Sequence, residues 1–219
     1  MPALTAVLQG FDPTLLLVLN LAGTFVFGLS GGLAGVQARL DAFGIVVLAV
    51  VVGLAGGITR DLLIGVPPQA FRDWRYLAVA VGAGLVTFLA HRALERLERP
   101  ILVLDAGGLA LFCVTGASTA VDHRVPAIDA IVLGAITGIG GGVLRDILVR
   151  EVPVVLRTGL YAIPALIGAA IVVAASRSGM HDLAWPIAGA AVCFVVRLAG
   201  VYFDLNVPSA PGRPDRETR

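Results

Sequence analysis

Two Arg–Asp dipeptides, Arg60–Asp61 and Arg145–Asp146, each follow a long apolar run. Ionised groups in or beside a bilayer cost several kcal/mol unless they are paired or hydrated. Each dipeptide therefore neutralises itself or its counterpart, or anchors at the interface with its arginine extended to water. Glycines stand just ahead of both: Gly53, Gly56 and Gly57 in one run, Gly138, Gly140, Gly141 and Gly142 in the other. Glycine costs about 0.8–1 kcal/mol in a helix relative to alanine, so such a cluster marks a bend or an unwound turn. Bare carbonyls inside a bilayer must be buried in protein or line water, which makes the cluster a place for a cation to meet oxygen ligands. The alternative is that the glycines let two helices pack closely.

Further polar groups lie in other apolar runs: Asn20, Ser30, Asp105, Thr115 and Ser118. They suit a wet path, with Asp105 the strongest candidate for a cation, although isolated hydroxyls also bond back to their own helix. Arg197, in the last run, is assigned no role. The histidines His91, His123 and His181 lack ligand spacing, and no serine sits in a nucleophile elbow, so neither an enzyme nor a resident metal or cofactor is expected. Cys113 and Cys193 both fall in apolar runs and read as small buried hydrophobes.

Composition says what must position these groups. The 219 residues are 58% hydrophobic and 14% charged, with a strongly positive mean hydropathy, against roughly 25% charged in soluble domains. The formal charge of +1 offers no basic surplus for nucleic acid. Apolar runs long enough to cross a bilayer lie at 15–36, 43–64, 76–91, 101–121, 128–149, 158–175 and 183–203, the third being short enough to suggest a kinked or tilted helix. No cation precedes the first run and it exceeds a signal-peptide core, so it reads as a true span. The expected architecture is an all-α integral membrane protein of seven transmembrane helices. It forms one domain, residues 1–205, followed by a disordered cytoplasmic tail at 206–219.

The segment GGITRDLLI at 56–64 recurs as GGVLRDILV at 141–149, an offset of 85 residues between the two arginines, 145 less 60. The same offset pairs Gly23 with Gly108, Phe27 with Phe112, Arg39 with Arg124, Pro68 with Pro153, Arg72 with Arg157 and Tyr76 with Tyr161, and it makes Asn20 equivalent to Asp105. Two copies of a three-span unit follow, at about 15–92 and about 100–176, with the span at 183–203 an addition. Three is odd, so the second copy enters the membrane from the opposite side. Inverted repeats place equivalent helices around a central path. Inversion also sets the two Arg–Asp pairs at opposite vestibules.

Arginine is richer on the face of Arg39, Arg92, Arg96, Arg99, Arg150 and Arg157 and the tail's Arg213, Arg216 and Arg219 than on the face of Arg72, Arg75, Arg124 and Arg177. The positive-inside rule then puts the N-terminus outside and the C-terminus in the cytoplasm of an inner (plasma) membrane protein.

The duplicated Gly-Gly-x-x-Arg-Asp helices, the seven spans and the outside N-terminus resemble the bacterial and archaeal branch of the trimeric intracellular cation (TRIC) channels, also called the glycine transporter domain (UPF0126) family. The resemblance covers roughly residues 15–203. It implies a homotrimer in which each subunit has its own hydrophilic pore for monovalent cations, chiefly potassium and also sodium. It further implies that the second and fifth helices bend at Gly56 and Gly57 and at Gly140, Gly141 and Gly142, lining the pore with the first and fourth. Ala55 stands where the second copy has Gly140, implying a milder first bend. The basic lipid-binding segment of animal members is not identifiable. Three readings stand: a passive cation channel; a secondary transporter of a small zwitterion such as glycine, since inverted repeats with broken helices equally mark transporters; and a scaffold whose glycines serve only packing.

Overall fold

The computed structural model describes residues 12–94, 100–157 and 160–203, and everything described is helix, turn or connecting coil. The helices are α1 Pro13–Gln37, α2 Ala42–Ile64, α3 Gln69–Arg72, α4 Trp74–Leu94, α5 Pro100–Asp122, α6 Ala127–Leu148, α7 Val154–Arg157, α8 Ala162–Arg177 and α9 Ala184–Tyr202. The expected tail at 206–219, Arg96, Arg99 and Thr158 lie outside the described residues.

Prolines mark where helices begin, because a residue without an N–H fits only the first turn. Pro13 and Pro100 open α1 and α5, Pro126 caps α6, and Pro164 and Pro186 sit in the first turns of α8 and α9. At α1 the carboxylate of Asp12 accepts from the amides of Thr14 and Leu15, and these bonds hold its pKa below the ordinary carboxylate value.

Among the described residues, six helices, α1, α2, α4, α5, α6 and α9, are long and apolar enough to cross a membrane. The third run forms an unbroken helix of 21 residues, longer than its apolar stretch indicated, because Trp74, Arg75, Arg92, Ala93 and Leu94 extend it at both ends. The sixth run forms a helix of only 16 residues, since Pro164 forces its start to about Ala162. The short helices α3 and α7 were not expected, yet they too stand 85 residues apart, at Gln69 and Val154.

Helix α1 packs on α2, α4 and α5, and α5 packs on α1, α6, α8 and α9, while α2 crosses α6. The α1–α5 contact is reciprocal. A Cβ on Gly23 would lie 2.7 Å from the ring of Phe112, and one on Gly108 would lie 2.6 Å from the ring of Phe27. The two phenylalanine rings meet at 5.4 Å between centroids, tilted by 42°, and both are buried. Each of the two glycine contacts joins residues whose equivalents, 85 positions away, make the other. Large apolar side chains such as Phe43, Leu62, Phe71, Trp74, Leu89, Ile128 and Leu156 remain exposed on the outside, the surface expected of a protein solvated by lipid.

Candidate functional site

The glycine clusters of α2 and α6 are helical throughout, so the expectation of an unwound turn is corrected. Their carbonyls stay within the helices, and the missing side chains serve backbone approach instead. A Cβ on Gly56 would collide with the Thr137 carbonyl oxygen, and one on Gly141 would lie 2.8 Å from that of Val52. Val52 and Thr137 are themselves equivalent by the repeat, so the α2–α6 crossing is reciprocal as well. A Cβ on Gly140 would lie 3.3 Å from the Gly56 Cα, and ones on Gly53 and Gly138 would lie 2.8 and 2.9 Å from the carbonyl oxygens of Thr24 and Leu109. Gly57 is different: nothing lies within 4 Å of the Cβ it lacks, and together with Gly53 it lines a cavity.

Arg60 and Arg145 are each 2% exposed, which rules out arginines extended to water. Arg60 Nε donates to Asp61 Oδ1 at 2.8 Å and its Nη1 to Asn20 Oδ1 at 3.0 Å. Asn20 in turn donates to the Leu16 carbonyl, and Asp61 Oδ2 accepts from the amide of Gln69, the first residue of α3. The cavity beside this cluster, bounded by Asn20, Thr24, Gly57, Arg60, Tyr76 and Phe112, holds only about 10 Å³, room for about one water. Thr24 Oγ1, buried on its wall, has no hydrogen-bond partner among the described residues.

The second cluster repeats this plan with more groups. Arg145 Nε and Nη2 donate to Asp146 Oδ1 at 3.0 and 2.8 Å, and Nη1 donates to Asp105 Oδ1 and to Ser30 Oγ, both at 2.7 Å. Asp146 Oδ2 accepts from the amide of Val154, the first residue of α7, as Asp61 does from Gln69. The Tyr161 hydroxyl donates to Asp105 Oδ1 at 3.0 Å, whereas Asp105 Oδ2 has no hydrogen-bond partner among the described residues. A cavity of about 350 Å³ opens beside Arg145 and Asp146, with Gln37, Ile101 and the exposed Glu151 and Arg157 among its lining. Each dipeptide thus neutralises itself locally. Asn20 and Ser30 lie ten residues apart on α1, so the two guanidinium groups are staggered by about 15 Å along that helix.

Asp105, the strongest candidate for a cation, has Arg145 as its ion-pair partner. Thr115 and Ser118 do not meet the clusters. Both are fully buried and donate back to their own helix, at Phe112 and Val114. Of Ser30, Thr115 and Ser118, Ser30 is the one bonded to a charged group. Tyr161 and Arg197 were passed over as site residues, although the offset of 85 from Tyr76 marked Tyr161.

The family model described as Glycine transporter matches the chain twice, over residues 17–92 and 102–177, two windows again separated by 85 residues. The chain belongs to the glycine transporter family. Within this family it is 51% identical over 202 residues to the UPF0126 membrane protein SCO4104 of Streptomyces coelicolor, covering 91% of this chain and 93% of the relative. It is 36% identical over 198 residues to the UPF0126 inner membrane protein YadS of Escherichia coli, covering 87% and 94%. Among solved structures, the crystal structure of a prokaryotic TRIC channel in 0.5 M KCl matches this glycine transporter family member with a TM-score of 0.82 at 34% identity, covering 90% of this chain and all of that one. The TRIC channel orthologue from Rhodobacter sphaeroides matches with a TM-score of 0.83 at 36% identity, covering 88% and 100%. The chain is accordingly a multi-pass, all-helical membrane protein of the glycine transporter family.

Proposed function

We propose that this protein is a channel for monovalent cations, potassium and also sodium, with no enzymatic step and no cofactor. The observation that carries the reading is the likeness, over nearly the whole chain, to solved TRIC cation channels at 34 and 36% identity. The reading extends to a homotrimer with one path per subunit, running along α1, α2, α5 and α6 past the two arginine clusters. The reciprocal α1–α5 and α2–α6 contacts support an inverted pair of three-span repeats, with α8 as the sixth span and α9 as an added seventh. The N-terminus then faces outside and the C-terminus the cytoplasm of an inner (plasma) membrane. In this arrangement the buried Phe27 and Phe112 rings lie where α1 crosses α5, between the cavities beside Arg60 and Arg145.

A second reading, a carrier of glycine or another small zwitterion, draws on the family description and on the cavity that presents Arg145 beside Asp146. Purified protein in sealed vesicles under a potassium gradient separates the two. Rapid, poorly saturating potassium flux without uptake of labelled glycine supports the channel. Saturable glycine uptake coupled to a sodium or proton gradient overturns it. Gly57→Val tests the route: its side chain enters open space beside the first cavity, so potassium flux falls about tenfold or more by a hydrophobic block while thermal stability holds. Unchanged flux removes that cavity from the path.

A further inference from the structure

Helix α9 belongs to neither repeat, packs on α5 and α8, and carries one ionised residue, Arg197, which is 3% exposed. Its guanidinium carbon lies 4.5 Å from the centroid of the Tyr161 ring, and its Nη1 donates to the Leu160 carbonyl at 3.2 Å. Its Nε is buried with no hydrogen-bond partner among the described residues. Tyr161 is itself 1% exposed and turns its hydroxyl to Asp105. A continuous line of contacts therefore runs from Arg197 through the phenol to Asp105, Arg145 and Ser30.

Formal charge gives this line a purpose. With ionised side chains, the first cluster holds one cation, Arg60, one anion, Asp61, and the neutral Asn20, and it balances. The second has Asp105 where the first has Asn20, so Arg145 faces two carboxylates and the cluster is one negative charge in excess. Arg197 supplies the missing cation, on a helix that packs on α5 and α8 of the second copy. A cation over an aromatic face draws electron density from the ring and makes its hydroxyl a stronger donor.

We infer that Arg197 is a positioning residue of the second cluster: it counterbalances Asp105 through the Tyr161 ring, holds the Tyr161–Asp105 bond, and so fixes the fork of Arg145 and the charge of the path. The charge-of-the-path part rests on the channel reading, while the pairing of Arg197 with Asp105 does not.

The test is a double-mutant cycle on the full-length purified protein, comparing wild type, R197M, D105N and R197M/D105N. The expected result is that R197M lowers the thermal midpoint by about 5 °C or more, and that D105N placed on it recovers at least half of the loss although D105N alone is destabilising. Additive losses overturn the proposal, because an arginine that merely ties α9 to Leu160 has no reason to sense Asp105. If R197M fails to accumulate folded, its recovery as R197M/D105N supports the proposal, and its continued absence overturns it. In vesicles under a KCl gradient, R197M moves the reversal potential toward that of the cation, and both R197K and R197M/D105N return it to the wild-type value. A reversal potential unmoved by R197M overturns the charge role. Absence of any wild-type current overturns the channel reading alone, and the thermal cycle still decides whether Arg197 pairs with Asp105.

Discussion

Around Arg60 the groups are one carboxylate, one amide and a cavity for a single water; around Arg145 they are two carboxylates, a serine, a tyrosine and a cavity some tens of times larger. Both sites grew from the same nine-residue pattern, and their shared part is the scaffold. In each, the Asp takes the neighbouring guanidinium with one oxygen and caps the following short helix with the other. In each, a residue forty positions earlier receives Nη1. What differs is charge, introduced by the change from Asn20 to Asp105 and answered from outside the repeat by Arg197. Duplication supplied a symmetric frame, and the substitutions on it made the two ends chemically unequal.

The largest expected effect follows from that inequality. Arg145→Met strands Asp105 and Asp146 in a buried site and costs about 3–5 kcal/mol. Arg60→Met strands Asp61 alone, which keeps its bond to the Gln69 amide, and costs about 1–3 kcal/mol. Denaturant titration of both variants in mixed micelles measures the difference. Equal losses would break the comparison, since they would mean that the second carboxylate is already neutral or hydrated.

Much of this frame was legible because periodicity and offset are properties of the chain. Apolar runs located the six long helices to within a few residues, and the offset of 85 tied Asn20 to Asp105 before their shared role as arginine partners was visible. The conformation of the glycine clusters was not legible. A glycine that unwinds a helical turn and one that lets a carbonyl approach look alike in sequence, and the continuous helix with its neighbour, Thr137 for Gly56 or Val52 for Gly141, distinguishes them. Hydroxyls have the same ambiguity: Ser30 meets a guanidinium because α6 delivers Arg145 to it, whereas its equivalent Thr115 turns back to its own helix. Arg197 was hidden for a third reason: its partners, Leu160 and Tyr161, lie just ahead of α8, and α9 stands outside the repeat, so the offset that marks Tyr161 gives no hint of what meets it.

An intermediate effect is expected at Gly57 and Gly142, one repeat position in two surroundings. Gly57 faces open space, so Gly57→Ala leaves stability unchanged or raises it by up to about 1 kcal/mol through helix propensity. A Cβ on Gly142 would collide with the Tyr161 hydroxyl and lie 2.9 Å from Asp105 Oδ1, so Gly142→Ala costs about 1–3 kcal/mol and breaks the bond between them. Thermal midpoints of the two variants read the contrast directly. A tolerated Gly142→Ala would mean that Tyr161 is free to move aside, and that the second cluster is less tightly held than the first.

The smallest effect concerns how the two arginine helices end. Both α2 and α6 close with a residue in the left-handed conformation whose amide, with the next one, satisfies the last carbonyls: Gly65 at φ 84° after α2, and Arg150 at φ 63° after α6. A residue with a Cβ is disfavoured there by about 1–2 kcal/mol, a cost that glycine avoids. Arg150 is exposed and lies beyond the second cluster, so Arg150→Gly copies the first repeat without disturbing Arg145. The thermal midpoint should rise by about 2–4 °C, and Gly65→Ala should lower it by a similar amount. The sign of the first result carries the information. A rise means that Arg150 serves something other than stability. A fall means that its positive charge at the helix C-terminus outweighs the backbone strain, and the second repeat is then held by electrostatics where the first is held by conformation.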